Sequence, residues 1–140
     1  MIKAVVKEKG LIPFIGTMHS AGADLRIPYD VILPPGETQF LNTGVRVEIP
    51  EQHLGLIIPR SSLGKRNLML SNTVGVIDSD YRGDLKILLK NVGNETQLLY
   101  KYDRVVQLII IPYISPKLTF VDSLEETERG EKGFGSTGEK

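Results

Sequence analysis

Short apolar runs separated by turn-forming residues make up most of this chain. Val, Ile and Leu dominate the runs, which recur every eight to twelve residues, and helical periodicity is scarce. Runs of this kind predict β-strands, here over Lys3–Val6, Val31–Leu33, Gln39–Leu41, Gly44–Ile49, Leu54–Ile58, Val74–Ile77, Leu85–Lys90, Thr96–Tyr100, Arg104–Ile111 and Leu118–Val121. Only Ser61–Arg66 is predicted to form a helical turn. Many short strands at even spacing are typical of an all-β sandwich, jelly roll or barrel.

The predicted strand Arg104–Ile111 differs from the others because it is apolar almost throughout. Gln107 alone interrupts the apolar run VVQLIII, so both faces of the strand should be covered. In so small a protein, a doubly covered strand indicates a subunit interface. Arg104 and Gln107 are three positions apart, which in a regular strand directs them to opposite faces. At least one of them is therefore expected to meet a neighbouring chain.

Composition excludes several classes of function. The chain has 140 residues, 41% hydrophobic, with 17 Lys and Arg against 17 Asp and Glu, and no cysteine. Balanced charge gives no reason to expect a nucleic acid or a membrane as partner. Without cysteine, disulfides, zinc–thiolate sites and cysteine nucleophiles are excluded. The initial MIKAVVKEKG is too charged for a signal peptide, and no apolar run could span a bilayer. We therefore expect one soluble, cytoplasmic domain.

The composition changes towards the end of the chain. Residues 125–140, EETERGEKGFGSTGEK, carry many charges and glycines and a single apolar side chain, Phe134. Such a segment cannot fold alone, so we predict a domain over residues 1–124 and a flexible arm over 125–140 that orders on a ligand. Arg129 offers a fork suited to phosphate, and Phe134 offers a ring that can stack on a base. A tail that stays disordered is the alternative.

The stretch GVIDSDYRGD at residues 75–84 combines an apolar run with a polar loop. The run ends at Asp78, the loop contains Tyr81, and a second apolar run starts at Leu85. This pattern predicts a β-hairpin. Its mouth would bring a carboxylate, an aromatic ring and backbone amides to one small ligand. An ordinary solvated turn is the alternative.

Two further segments carry polar residues beside predicted strands. PRSSLG places Arg60, Ser61 and Ser62 at the start of the possible helical turn, where amides, hydroxyls and a guanidinium can hold an anion. There the alternative is an ordinary N-cap. AGADLR places Asp24 just before a strand that starts at Leu25. Three roles are open for that carboxylate: to buttress an arginine, to face a hydrated metal, or simply to lie in a surface turn.

Five segments in fixed order resemble the motifs of the homotrimeric dUTPases (deoxyuridine triphosphate pyrophosphatases): AGADLR, PRSSLG, GVIDSDYRGD, DRVVQLI and RGEKGFGSTG. The resemblance spans residues 21–138 and implies a distorted jelly-roll-like β-barrel, assembled as a homotrimer with active sites shared between subunits. It implies hydrolysis of dUTP to dUMP and pyrophosphate with Mg²⁺ as cofactor. Such an activity keeps uracil out of DNA and supplies dUMP for thymidylate synthesis.

The resemblance also implies roles for individual residues around the nucleoside. Asp78 matches the carboxylate that activates the attacking water, and Tyr81 matches the residue packed beneath the deoxyribose. The uracil edge is read by one side chain and by strand backbone, and the matching positions are Asn72, Gly75, Val76, Ile77 and Lys86.

Further matching residues surround the phosphates. The phosphate contacts correspond to Arg60, Ser61, Ser62 and Gln107. Asp24 and Arg104 resemble the pair that organises the triphosphate pocket near the metal, Asp24 through water. The arm that closes over the nucleotide matches Arg129, Phe134, Gly135, Ser136 and Thr137.

One position departs from the family pattern, and two rival functions stay open. The second motif usually reads RSG, and Ser62 stands where the glycine is expected. A backbone that must adopt positive φ there would be strained by Ser62. The first rival is dCTP deaminase, which shares the fold and a similar RSSLG run, although Tyr81 favours the dUTPase motif. The second is a non-catalytic trimeric binding protein on the same scaffold.

Overall fold

The fold is built almost entirely from short β-strands, as the computed structural model of residues 2–133 shows. A 3₁₀ turn at Lys9–Leu11 and one short helix, α1 at Ser61–Lys65, are the only helical elements described in this range. The strands are β1 Lys3–Val6, β2 Ala23–Arg26, β3 Val31–Leu33, β4 Thr38–Asn42, β5 Val45–Glu48, β6 His53–Pro59, β7 Leu68–Leu70, β8 Gly75–Ile77, β9 Lys86–Asn91, β10 Gln97–Leu99 and β11 Arg104–Pro112. Neither helical element is long and apolar enough to cross a membrane.

The core of the protein is purely aliphatic. Strands β3, β5 and β9 alternate buried and exposed positions, as strands with one face on a core must. The hydrophobic residues that they and their neighbours bury are all Leu, Ile or Val. Every Phe and Tyr ring between residues 2 and 133 lies exposed on the surface instead. These rings are therefore available to ligands or partners.

The strands form four antiparallel sheets that do not close into a barrel. The order is β2-β11-β6-β8 in the largest sheet and β4-β9-β7 in the second, with two-stranded pairs β1-β5 and β10-β3. The predicted all-β, jelly-roll-like class is thus confirmed, and α1 lies at the predicted helical turn. β7 was not predicted, since three residues are too few to show a periodicity, and β2 begins at Ala23 rather than at Leu25.

The prediction of a hairpin in GVIDSDYRGD is wrong. β8 pairs with β6, with Gly55 opposite Ile77, whereas β9 pairs with β4 and β7. The loop after Asp78 therefore crosses from one sheet to another. Two adjacent apolar runs predict two strands, but local sequence does not decide which strands pair with each other.

The predicted strand Leu118–Val121 is also wrong for the single chain. Regular structure ends at Pro112, and residues 113–133 contain neither strand nor helix. Phe120 and Ile114 are each 95% exposed. A strand needs a partner to satisfy its backbone N–H and C=O groups, and this segment has none among residues 2–133.

Candidate active site

A carboxylate and two arginines lie together at one end of the largest sheet. Oδ2 of Asp24, on β2, is 3.0 Å from Nε of Arg60 and 3.2 Å from Nη1 of Arg104. Arg60 also donates through Nη1 to the backbone carbonyl of Arg104, at 3.0 Å. The Asp24 side chain is only 14% exposed. The arginine buttress, one of the alternatives for Asp24, is present in the structure.

Arg104 and Gln107 share one face of β11, contrary to the prediction. A β-bulge separates Arg104, which lies opposite Arg26, from Val106, which lies opposite Leu25. An extra residue in the strand shifts the alternation of side chains by one position, so Val105 and Val106 are both buried. Gln107 then lies opposite Asp24, the residue that binds Arg104.

An aromatic ring completes the surroundings of Arg104. Its guanidinium lies over the ring of Phe14, 4.5 Å from the centroid. Phe14 is fixed by its backbone, because its N–H donates to the carbonyl of Asp24 at 3.0 Å and its carbonyl accepts a bond from the N–H of Asp24 at 2.8 Å. Sequence reasoning missed Phe14, since it precedes the AGADLR segment by several residues and carries no motif of its own.

These arginines border an open cleft. Its volume is about 300 Å³, and its walls include Arg60, Ser62, Arg66 and Arg104 together with Leu63, Leu99, Tyr102 and Asp103. Arg66 is held by Gln97 Oε1, at 3.0 Å, and by the carbonyl of Leu98. Three guanidinium groups outnumber the carboxylates around the cleft, which suits an anionic ligand. No sequence signal pointed to Arg66, because its partners are far along the chain.

The serines of PRSSLG are not helix caps. Arg60 occupies the N-cap position without a capping side-chain bond, and Ser61 and Ser62 are the first residues of α1. Both serines are exposed. Ser62 lies in the right-handed helix α1, and its φ is not positive. The strain expected from replacing glycine at this position therefore does not arise.

A second group of residues surrounds the end of β8. Asp78 is exposed, and its backbone carbonyl accepts a hydrogen bond from the N–H of Tyr81 at 3.2 Å, which closes a tight turn. The hydroxyl of Tyr81 donates to the carbonyl of Asp84 at 2.9 Å. Its ring lies against Gly83, where any Cβ would overlap it. The turn presents two exposed carboxylates, Asp78 and Asp80, beside one braced ring.

β8 is an edge strand, so its outer backbone groups are open. Among residues 2–133 it pairs only with β6, through Gly75, Val76 and Ile77. Asn72 precedes it, and the Nδ2 of Asn72 donates to the carbonyl of Val74 at 3.1 Å. Lys86 begins β9. An open edge offers alternating N–H and C=O groups that can read a planar polar ligand.

The two groups of residues are far apart within one chain. Ile77, next to Asp78, is paired with Gly55, whereas Arg60 follows the other end of β6. The five residues from Gly55 to Arg60 correspond to about 17 Å of extended strand. The Arg60 side chain also reaches towards β2, on the side of β6 opposite β8. One chain therefore holds two halves of a site but does not join them.

Arg129, the one predicted arm residue that the structure describes, joins neither half. Arg129 lies in an exposed turn, where its carbonyl accepts a bond from the N–H of Lys132 at 3.2 Å, and it forms no ion pair within residues 2–133. The other predicted arm residues, Phe134, Gly135, Ser136 and Thr137, lie outside the described residues.

Comparison with known proteins identifies the family. The sequence model of dUTPase matches residues 8–138. The deoxyuridine 5'-triphosphate nucleotidohydrolase of Escherichia phage T5 is 47% identical over 148 residues, covering all of both chains. The chain belongs to the dUTPase family. This membership decides against the dCTP deaminase family.

Further relatives agree with the dUTPase assignment. The deoxyuridine 5'-triphosphate nucleotidohydrolase of Nautilia profundicola is 42% identical over 95% of this chain and 94% of its own. A mutant dUTPase of Staphylococcus bacteriophage 80alpha with dUpNHpp has a TM-score of 0.87 at 30% identity, over 99% of this chain and 98% of that chain. A mutant dUTPase of phage phi11 of S. aureus, described with a structural Mg(II) ion, has a TM-score of 0.81 at 25% identity, over 90% and 99%.

The described carboxylates of this dUTPase family member do not form a metal cage. Between residues 2 and 133, no three His, Cys, Asp or Glu residues come together. Asp24 is the acidic residue nearest the cleft arginines, and its Oδ2 is already shared by Arg60 and Arg104. Such a carboxylate suits contact with a metal-bound water better than direct coordination.

Proposed function

We propose that this protein hydrolyses dUTP to dUMP and pyrophosphate. Family membership supports the substrate, and the two half-sites supply the chemistry that the reaction needs. One half offers a free carboxylate, a braced ring and an open strand edge, and the other offers a basic cleft. A non-catalytic binding protein would not need the exposed Asp78 beside Tyr81. The cytoplasmic location of this protein stays a prediction.

We infer that the active enzyme is a homotrimer whose sites are shared between chains. The separation of about 17 Å along β6 is the observation that carries this inference. A small nucleotide cannot contact Asp78 and Arg60 of the same chain at once. In a cyclic trimer, the half-site containing Asp78 from one chain can face the half-site containing Arg60 from the next.

The exposed segment after β11 supports assembly. Its apolar side chains, Ile114, Leu118, Phe120, Val121 and Leu124, are 61–95% exposed. A run of large exposed apolar side chains is costly in water and marks an interaction surface. A second copy of this chain is the partner that a shared active site requires, so the segment would pack there.

In the mechanism, Asp78 accepts a proton from a water aligned with the α-phosphorus. Its exposed carboxylate at the end of β8 leaves it free to face such a water. General-base assistance of this kind contributes about 10²–10⁴-fold. Arg60, Arg104 and the exposed serines of α1 would stabilise charge on the phosphates, and Gln107 lies on the same face of β11 as Arg104.

Selectivity for deoxyuridine comes from the other half-site. The open edge of β8, with Asn72 and the backbone at Lys86, would bond the uracil edge, and a cytosine amino group would leave those groups unpaired. Unpaired buried polar groups can cost several powers of ten in rate. The ring of Tyr81 would lie beneath the deoxyribose and leave no room for a 2′-hydroxyl.

Mg²⁺ fits this site only as an ion carried with the triphosphate. Bound there, it would neutralise charge on the phosphate oxygens and keep most of its waters. Asp24 would contact one of those waters through the oxygen that the arginines leave free. The arm over residues 125–140 would then close on the nucleotide through Arg129, Phe134, Gly135, Ser136 and Thr137.

The experiment is a pyrophosphate-release assay with dUTP, dCTP, dTTP and UTP, run with the protein and with Asp78→Asn. We expect dUTP to be hydrolysed far faster than the others. The variant should lose turnover by at least 10²-fold while binding a non-hydrolysable dUTP analogue almost normally. Ammonia release from dCTP, or substantial turnover by Asp78→Asn, would contradict the proposal.

A further inference from the structure

Tyr81 depends on a neighbour that none of the motif roles includes. Its hydroxyl donates to the backbone carbonyl of Asp84, at 2.9 Å. The ring also covers Gly83, the residue before Asp84. The position of the ring is therefore set by the position of the Asp84 peptide.

The side chain of Asp84 contacts polar side chains on or next to β1, β4 and β5. Its Oδ2 is 2.8 Å from Nζ of Lys7 and accepts a bond from Nδ2 of Asn42 at 2.7 Å. Its Oδ1 is 3.8 Å from Nε of Arg46. The carboxylate is 18% exposed. The hydrogen bonds from Lys7, and then from Asn42, lower its pKa below the ordinary value.

The donors around Asp84 are themselves fixed. The side-chain oxygen of Asn42 accepts a bond from the N–H of Gly44 at 2.8 Å, and the N–H of Lys7 donates to the carbonyl of Gly44 at 2.9 Å. Gly44 has a φ of +69°, the left-handed region that favours glycine. The carboxylate of Asp84 thus attaches the Tyr81 loop to a turn with little freedom.

None of these donors is hydrogen-bonded to Tyr81, so their effect on the ring must pass through Asp84. We propose that Asp84 is a positioning residue that holds Tyr81 in place and thereby sets the preference of the enzyme for deoxyribose over ribose. This inference rests on the proposed role of Tyr81 beneath the sugar. A ring that drifts by an ångström would admit a 2′-hydroxyl and lose contact with the deoxyribose.

The test compares Asp84→Ala and Asp84→Asn with the wild-type protein. The readout is the ratio of kcat/KM for dUTP to kcat/KM for UTP. We expect Asp84→Ala to lower this ratio roughly ten- to hundredfold. Asp84→Asn should restore most of it, because an amide oxygen at the Oδ2 position still accepts the bonds from Lys7 and Asn42.

A matched control separates positioning from stability. Lys3 and Glu48 form an exposed ion pair at 3.2 Å between β1 and β5. β1 ends directly before Lys7, and β5 contains Arg46. Glu48→Ala should leave the dUTP/UTP ratio unchanged. If Asp84→Ala does not fold, Asn42→Ala removes one of the same bonds from the partner side and should lower the ratio in the same direction.

Tyr81→Phe tests whether the contact between Tyr81 and Asp84 carries the effect, because it removes the hydroxyl that donates to the Asp84 carbonyl. The double variant Tyr81→Phe/Asp84→Ala should have nearly the same ratio as Asp84→Ala alone. A lower melting temperature in Asp84→Ala with an unchanged dUTP/UTP ratio would overturn the proposal. In that case the loop would be positioned by Leu85 alone, whose N–H donates to the carbonyl of Val45 at 2.8 Å. If Tyr81→Ala also leaves the ratio unchanged, the proposed role of Tyr81 fails instead.

Discussion

Asp24 and Arg104 lie on neighbouring strands and are joined by an ion pair of 3.2 Å. The same Asp24 oxygen binds Arg60 at 3.0 Å, so one carboxylate links β2, β11 and the residue after β6. The basic cleft therefore depends on Asp24 for its shape as well as for its charge.

Replacing Asp24 should damage both stability and substrate affinity. Asp24→Asn leaves two arginines facing each other without a counter-charge in a partly buried place. We expect a loss of about 1–3 kcal/mol in the free energy of unfolding and a higher KM. Urea unfolding and initial-rate kinetics measure the two effects. Glu48→Gln, which breaks an exposed pair, should cost less than about 1 kcal/mol. Equal costs for the two variants would contradict this account.

Phe14 should affect nucleotide binding although it lies outside the five motifs. Phe14→Leu keeps apolar volume but removes the ring under Arg104. A cation–π contact is worth about 0.5–1 kcal/mol at an exposed site, so KM should rise about two- to fivefold with little change in kcat. Phe14→Tyr, which keeps the ring, should behave like the wild type. A KM that rises in both variants would point to the backbone around Phe14 instead.

Acid should weaken the protein partly through Asp84. Hydrogen bonds from Lys7 and Asn42 lower the pKa of Asp84 in the folded state. A carboxyl group with a lowered folded pKa adds stability above its ordinary pKa of about 3.9, and that stability is lost as pH falls through the lowered value.

The difference in unfolding free energy between the wild type and Asp84→Asn should therefore be largest above about pH 5 and shrink towards pH 2. Denaturant unfolding at fixed protein concentration across this range measures it. Lys7→Ala, which removes the strongest donor, should flatten the same pH dependence. A difference that grows on acidification would have the wrong sign.

Removing the arm should separate assembly from turnover. Deleting residues 125–140 leaves the eleven described strands intact, since the last strand found between residues 2 and 133 ends at Pro112. We expect a folded trimer of about 41 kDa, three chains of 124 residues each, with very low activity, because closure over the phosphates is lost. Light scattering and pyrophosphate release measure the two properties. Full activity would show that the arm has another role, and unfolding would show that it belongs to the core.

Much of the fold could be predicted from the sequence, because burial on one face imposes an alternation that β5 displays plainly. The pairing could not be predicted, since the partner of β8 lies twenty residues earlier, at Gly55–Ile57. The bulge at Val105 left no signal either, and it reversed the relation between Arg104 and Gln107. Phe120 lies in an apolar run that resembles a strand in sequence, yet no strand forms there in the described part of the chain.

The same limits apply to the site. Motifs predicted the residues of both halves, because the chemistry restricts which residue types can occur there. They did not predict Phe14 or Arg66, nor any role for Asp84 at the end of the GVIDSDYRGD motif, because the contacts of all three depend on residues distant in sequence. Side chains that act through a neighbour leave no spacing pattern of their own.

Mixing two inactive variants tests the shared site most directly. Asp78→Asn and Arg60→Gln each remove one half of the site, and each should form inactive trimers. Refolded together at equal amounts, they should recover about one quarter of wild-type activity, because an intact site forms wherever a chain with Asp78 faces one with Arg60. Mixtures as inactive as the separate variants would mean that both residues act within a single chain, and the account would be wrong.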